Sequence, residues 1–435
     1  MKTLETQKPV TITDRAVSLL QSYSHVNWAL ADQAMVSGVN FLTGILFARY
    51  LGIAEYGKFT LVWMAVLFCN GFQQAGIIAP MMSIGPKQHP NEEPAYYGAV
   101  FVQQVVWSTL CSLLLASGVL LSDFIKPEWQ IRGLALPLAT TLFAWQMQDF
   151  LRRYFFVRNL GGKAFFNDAL SYLGQLVALL ILFQLAPLNT ERVLWLIGAT
   201  SAFAVIVGIF KLGHLVVQRE KLIQVINKHW RFSKWMLASV IMQWVSGNFY
   251  FVAAGAVLGP VAVGGIKAAQ NIIGVTHILF QAMENFAPAG ATRALTQQGI
   301  AGLKSYLKGL TFFGTAATGS VALFAWCFPV FFLTTFYGHD FEGFATILRW
   351  FCAVYITTFL TMPLTNGLRA LEKTSSLFTA HFTAGLLSLI SAFPLVKIFA
   401  EHGIMAGLWG SRIAMILILF VALRKVMEHE MEGSC

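Results

Sequence analysis

Apolar runs of about twenty residues, the length that an α-helix needs to cross a lipid bilayer, recur along the whole chain. A bilayer offers the backbone no water to bond with, so such runs are expected to be helical. Of the 435 residues, 57% are hydrophobic and only 11% are charged, which excludes an ordinary soluble protein. The sequence therefore predicts an all-α polytopic membrane protein with about twelve transmembrane helices.

Lysine and arginine residues are unevenly distributed between the two predicted sides of the membrane. With both termini and every second loop on one side, that side holds 21 of the 30 basic residues. Cytoplasmic loops carry such an excess, so both termini are predicted to be cytoplasmic. The net charge of +10 then mainly reflects the membrane topology. The basic residues are scattered over short loops, which argues against nucleic-acid binding.

The connection between the sixth and seventh predicted helices divides the chain into two halves of six helices. It carries apolar residues on one face among basic residues, as in helices that lie at a membrane surface. The loops on the outer side are short and leave no room for an enzymatic domain. The predicted organisation is a cytoplasmic N-terminal segment (1–25), an N-lobe (26–217), a cytoplasmic amphipathic linker (218–235), a C-lobe (236–423) and a cytoplasmic tail (424–435).

The two halves share a short glycine pattern. Gly52 has a counterpart 207 residues later in Gly259, and the same spacing relates Gly57 to Gly264. Six crossings separate the copies, and because six is even, both copies enter the membrane in the same direction. Halves of this kind are related by a pseudo-two-fold axis along the membrane normal, with binding sites between them.

Three short motifs lie in the first loop, the tenth connection and the last predicted helix. They read ARYLGIAEYGKF at 48–59, LRALEKTS at 368–375 and HGIMAGLWGSRIAMILI at 402–418. These motifs resemble those of bacterial polysaccharide flippases of the multidrug/oligosaccharidyl-lipid/polysaccharide (MOP) exporter superfamily, over almost the whole chain. The resemblance implies alternating-access transfer of an oligosaccharide linked to undecaprenyl pyrophosphate, for polysaccharide or exopolysaccharide biosynthesis. Its implied partners are this lipid-linked oligosaccharide, the lipid bilayer and other polysaccharide-assembly proteins.

Polar side chains inside the apolar runs are the candidate site residues, because a charge in a membrane helix is costly and usually faces protein or water. In the eighth predicted helix they recur at steps of three and four, which places them on one arc. The second predicted helix repeats part of this stripe. The alternatives are that the stripes hold helices together and that the charges form internal pairs. The predicted substrate-binding residues are Arg412, Asn70, Gln74, Lys267, Gln270, His277, Gln281 and Arg349.

Two intramembrane carboxylates, Asp32 and Glu284, are the candidates for coupling transport to an ion gradient. They leave a second function open, an ion-coupled multidrug-type exporter of the same superfamily. A third alternative is a membrane-embedded polymerase or glycosyltransferase of a polysaccharide pathway, against which the short outer loops argue. The sequence contains neither a phosphate-binding glycine loop nor ligands at metal spacing, so no cofactor, metal or catalytic residue is predicted.

Overall fold

The computed structural model describes residues 24–125 and 131–432 of the chain. Every regular element in these residues is a helix. Eight of the helices are long and apolar enough to cross a membrane. The predicted class, an all-α polytopic membrane protein, is therefore confirmed. Most of the predicted N-terminal segment, residues 1–23, lies outside the described residues.

The helices of the first half follow one another with short connections. Their bounds are α1 (Ser24–Gln73), a π-helical turn (Gln74–Ile78), α2 (Ala79–Ile84), α3 (Glu93–Ile125), α4 (Ala135–Val157), α5 (Gly161–Asp168), a second π-helical turn (Ala169–Leu173), α6 (Gly174–Leu185) and α7 (Thr190–Phe210).

The second half contains fewer and longer helices. Their bounds are α8 (Arg219–Val257), α9 (Pro260–Ile273), α10 (Thr276–Cys327), α11 (Pro329–Tyr337), α12 (Ala345–Ala370) and α13 (Thr374–Glu432).

Three of the longest helices contain a residue whose backbone is not helical, and each is thereby divided into two crossing segments. These residues are Gly52 in α1, Gly299 in α10 and Ala400 in α13. The breaks turn the eight apolar helices into eleven segments within the described residues. The more polar α4 supplies the twelfth crossing.

The repeated glycines occupy equivalent turns in the two halves. Gly52 has a φ of 74° between the first two crossings, and Gly259 has a φ of 85° between α8 and α9. Both angles lie in the left-handed region, where a residue without a Cβ is favoured. The first pair of repeated glycines therefore reflects a backbone requirement that occurs once in each half.

The second glycine pair lies where the two lobes meet, between α1 and α9. A Cβ on Gly57 would overlap the carbonyl oxygen of Pro260, and a Cβ on Gly264 would overlap that of Ile53. Only glycine at both positions allows the two backbones to approach this closely. The repeat thus builds a symmetric contact between the lobes.

The predicted linker is continuous with the seventh crossing, because α8 runs for 39 residues without a break. Its first part packs on the N-lobe, where the Tyr96 hydroxyl and His229 Nε2 lie 3.0 Å apart. Nearby, Lys221 Nζ donates to Glu92 over 2.6 Å, and this hydrogen bond and the lysine charge lower the pKa of Glu92. Trp235 is 75% exposed, as expected for an aromatic residue at a membrane interface.

The uneven distribution of basic residues leads to a direct prediction about topology. A reporter enzyme fused after Lys234 should be cytoplasmic, and one fused after Asp340 should lie on the opposite side. A fusion after Lys373 is the control, because an even number of crossings separates it from Lys234. Reporters on the same side after Lys234 and Asp340 would contradict the division into crossings.

Candidate functional site

A cavity of about 360 Å³ lies between α1 of the N-lobe and α8 and α9 of the C-lobe. Aromatic side chains form much of the cavity wall, and several of their rings pack on one another. The rings of Phe59 and Trp63 stack at 5.7 Å, and Trp63 meets Trp145 edge-on at 5.3 Å. Such a surface offers flat apolar faces to a ligand. The aromatic residues that line the cavity are Phe47, Tyr56, Phe59, Trp63, Trp145, Tyr172 and Phe251.

The polar part of the wall consists mainly of amides together with one positive charge. Lys267 is the one charged side chain among the described residues that line the cavity. Its Nζ donates to Gln270 Oε1 over 2.8 Å, and no carboxylate in the described part of the chain pairs with it. Asn271 Nδ2 donates to the Tyr56 hydroxyl over 2.8 Å. An unpaired cation surrounded by amides and rings attracts anions and repels cations.

A buried cluster of charges lies within the N-lobe, where α1, α4 and α5 meet. Arg152 Nη2 contacts Asp32 Oδ2 at 2.6 Å, and Arg152 Nε contacts Asp168 Oδ2 at 2.7 Å. Both carboxylates are fully buried. One guanidinium therefore forms ion pairs with two carboxylates. When both carboxylates are ionised, the cluster has one excess negative charge. Asp32 Oδ1 is buried without a hydrogen-bond partner among the described residues.

Amide side chains extend this cluster toward the centre of the molecule. Gln148 Nε2 donates to Asp168 Oδ1 over 2.6 Å, and Gln74 Nε2 donates to Asp149 Oδ2 over 2.6 Å. Tyr172, four residues after Asp168, lines the central cavity. The segment that carries Asp168 therefore also contributes to the cavity wall.

The predicted substrate-binding residues fall into separate groups in the structure. Lys267 and Gln270 line the central cavity. Gln74 bonds to the buried Asp149, so it belongs to the interior of the N-lobe. Asn70 is half-buried, and its Oδ1 has no hydrogen-bond partner among the described residues.

Three residues of the predicted eighth-helix stripe lie on α10, beyond the residues that line the cavity. His277 Nε2 lies 3.2 Å from the Tyr355 hydroxyl, within the C-lobe. Gln281 Oε1 accepts from Gln33 Nε2 over 3.4 Å, which links α10 to α1 of the other lobe. Glu284 is exposed and forms no ion pair with the described side chains.

The two predicted arginines do not line the central cavity. Arg412 is half-buried in α13, with its Nη1 4.0 Å from the sulfur of Met415. Arg349 is exposed, and its Nε donates to the carbonyl of Trp326 over 3.3 Å.

A weak signal for the charge cluster was present in the sequence. Residues 146–153 of α4 combine two glutamines and one aspartate with two arginines inside an otherwise apolar run. The excess of basic residues on cytoplasmic loops assigns both arginines to the cytoplasmic side. The structure instead places Arg152 in the protein interior, where it is only 8% exposed. The role of Arg152 depends on Asp32 and Asp168, which lie next to it only because the helices pack together.

The described part of the chain forms two helical lobes with a cavity between them. No family model and no curated protein sequence matches the chain. Among solved structures it resembles an inward-facing multidrug resistance MATE family transporter of the MOP superfamily, with a TM-score of 0.71 and 11% identity over 91% of this chain and 96% of that one. For an outward-facing MATE transporter the TM-score is 0.57, with 12% identity over 93% and 92% of the chains.

A flippase structure also matches. The lipid II flippase MurJ, in an inward closed conformation, has a TM-score of 0.59 and 14% identity over 93% of this chain and 90% of that one. The chain therefore shares the two-lobed helical fold of these solved structures.

Proposed function

We propose that this protein is a flippase that moves an anionic, lipid-linked oligosaccharide across a bacterial inner membrane, with both termini in the cytoplasm. The observation that carries this proposal is Lys267 in the wall of the central cavity, where no carboxylate of the described residues pairs with it. A half-buried positive charge attracts a phosphate or pyrophosphate and disfavours the organic cations that a cation exporter would carry.

The remainder of the cavity wall suits a sugar. Amides such as Gln270 and Asn248 offer donors and acceptors to hydroxyl groups. Trp63 and Trp145 offer ring faces to the apolar faces of a sugar ring. Without such a site, the hydroxyl groups would cross the hydrocarbon region unpaired, at a cost of several kcal/mol for each group. The lipid tail can remain in the bilayer throughout.

We propose that the ion-coupling role predicted for Asp32 belongs to Asp32 and Asp168 together. Their shared Arg152 balances one of the two carboxylates, so the other favours uptake of a proton or a small cation. Tyr172 follows Asp168 by four residues and lines the cavity, so it is the proposed connection between the carboxylates and the substrate. Glu284 lies apart from this group on α10.

Two observations support an inward-facing state for the arrangement described above. The TM-score is higher for the inward-facing MATE transporter than for the outward-facing one, at 0.71 against 0.57. The contact of Gly57 with Gly264 joins the lobes beside the turns that the topology places on the outer side.

The proposed function can be tested with purified protein in liposomes that contain a fluorescent lipid-linked oligosaccharide. Lys267→Gln should slow translocation roughly ten- to a hundredfold, the value of a hydrogen bond to a charged group. Lys267→Arg should retain part of the activity. Lys397→Gln is the matched control, because Lys397 is another lysine within an apolar helix but does not line the cavity. Equal translocation by Lys267→Gln and wild type would contradict the proposal.

The multidrug-type exporter is the second candidate, favoured by the higher TM-score with the MATE transporter than with the flippase. The same liposomes distinguish the two functions. Uptake of a fluorescent organic cation driven by a pH gradient, without translocation of the lipid-linked sugar, would favour the exporter.

A further inference from the structure

A second and larger cavity lies on the surface of the C-lobe, between α10, α12 and α13. This groove has a volume of about 1010 Å³ and shares no lining residue with the central cavity. Its lining residues fall into a basic end and a long apolar part.

The basic end of the groove contains Lys304 and Lys308, one turn apart on α10, with Arg424 on α13. Arg424 Nε contacts Glu428 Oε1 at 2.7 Å, so these two charges balance each other. Lys304 and Lys308 have no ion pair with any described residue. Among the described side chains, this end of the groove therefore carries two positive charges without an ion-pair partner.

The apolar part runs from this end along α10 as far as Ala316. At 1.5 Å per residue, the distance from Lys304 to Ala316 is about 18 Å. One leaflet of a bilayer has a hydrocarbon thickness of about 15 Å. Leu307 and Leu423 are buried at the base of the groove, whereas Phe312 is 69% exposed at its edge. The groove thus matches a single lipid chain in length and in polarity.

We propose that this groove binds an anionic glycerophospholipid from the leaflet in which α13 ends. The phosphate lies between Lys304 and Lys308, and one acyl chain runs along α10 past Thr311 and Ala316. Basic pockets between membrane helices recognise anionic head groups in this way. The lipid would hold α10, α12 and α13 together as one body while the lobes move. This site is separate from the central cavity and does not depend on which substrate the protein carries.

The test is a titration of the full-length protein in mild detergent with phosphatidylglycerol, monitored by native mass spectrometry and by thermal unfolding. Saturable binding and a raised Tm are expected with phosphatidylglycerol, and a much smaller response with phosphatidylcholine. The double variant Lys304→Gln/Lys308→Gln should bind phosphatidylglycerol roughly ten- to thirtyfold more weakly, from the attraction of two basic residues to an anionic surface.

Two further variants distinguish the contribution of the lysine charges from that of the lipid acyl chain. Lys373→Gln/Lys425→Gln removes two charges that do not line the groove, and it should bind phosphatidylglycerol like the wild type. Ala316→Phe fills the apolar part without changing any charge, and it should weaken binding of the diacyl lipid. Unchanged binding by Lys304→Gln/Lys308→Gln would overturn the proposal. An equal rise in Tm with glycerol phosphate, which has no acyl chain, would also overturn it, because the site would then be one for free phosphate.

Discussion

Replacement of Arg152 by alanine is expected to destabilise the N-lobe by about 3–5 kcal/mol, the usual cost of leaving a buried charge without its partner. In this protein the guanidinium serves both Asp32 and Asp168, so its removal leaves two buried carboxylates facing each other. The expected result is a strongly reduced amount of folded protein in the membrane and a lower Tm after purification.

The neighbouring Arg153 provides the matched control. Its Nε lies 3.7 Å from Asp149 Oδ1, its side chain is 34% exposed and Gln74 also donates to Asp149, so Arg153→Ala should cost clearly less than Arg152→Ala. Equal stability of the two alanine variants would show that Arg152 does not hold the carboxylates together.

The coupling role is tested by a variant that keeps the fold. Asp168→Asn leaves the pair of Asp32 and Arg152 intact, with no excess charge. Its stability should stay close to that of the wild type, but transport in liposomes should no longer respond to an imposed pH gradient. A response equal to that of the wild type would assign the coupling to other residues.

Replacement of Gly57 by alanine is the second change with a large expected effect. The new Cβ would overlap the carbonyl oxygen of Pro260, so α1 and α9 would have to separate. Overpacking of this kind usually costs about 1–3 kcal/mol. Alanine also favours a helix by about 1 kcal/mol over glycine, so a net loss of stability would identify the contact as its cause. Labelling of a cysteine at Thr60 with a membrane-impermeant reagent from the outer side should become faster.

Gly247→Ala is the control for this experiment. Gly247 also lies in a membrane helix, but a Cβ there would meet nothing within 4 Å. It should leave stability and labelling unchanged or slightly increase stability. Unchanged labelling and stability in Gly57→Ala would mean that the lobes do not close through this contact.

The glycine repeat was predictable because both of its causes are backbone requirements that only glycine meets. A left-handed turn at Gly52, and a close backbone approach at Gly57, each require glycine wherever the fold places them. A duplicated fold repeats these requirements, so they remain visible when most other residues have changed. The helical class was likewise predictable from the composition, because few structures other than helices allow an apolar chain to span a bilayer.

The polar stripe of the eighth predicted helix was predicted only in part. Its periodicity assumed one unbroken helix, but α9 ends at Ile273 and α10 begins at Thr276. The residues before this break, Lys267 and Gln270, line the cavity, and His277 and Gln281 after it do not. The charge cluster could not be predicted from the sequence for another reason. Its members are separated by up to 136 positions in the chain, and only the packing of three helices brings them together.

The arginine shared by two carboxylates also bears on the energetics of a transport cycle. If Asp32 and Asp168 are the coupling site, their single excess charge limits the stoichiometry to one monovalent cation per cycle. For that cation, a membrane potential of 100 mV contributes about 2.3 kcal/mol. Each unit of pH difference adds about 1.4 kcal/mol if the cation is a proton. These terms are the cation's share of the driving force, and the charge of an anionic substrate adds its own response to the potential.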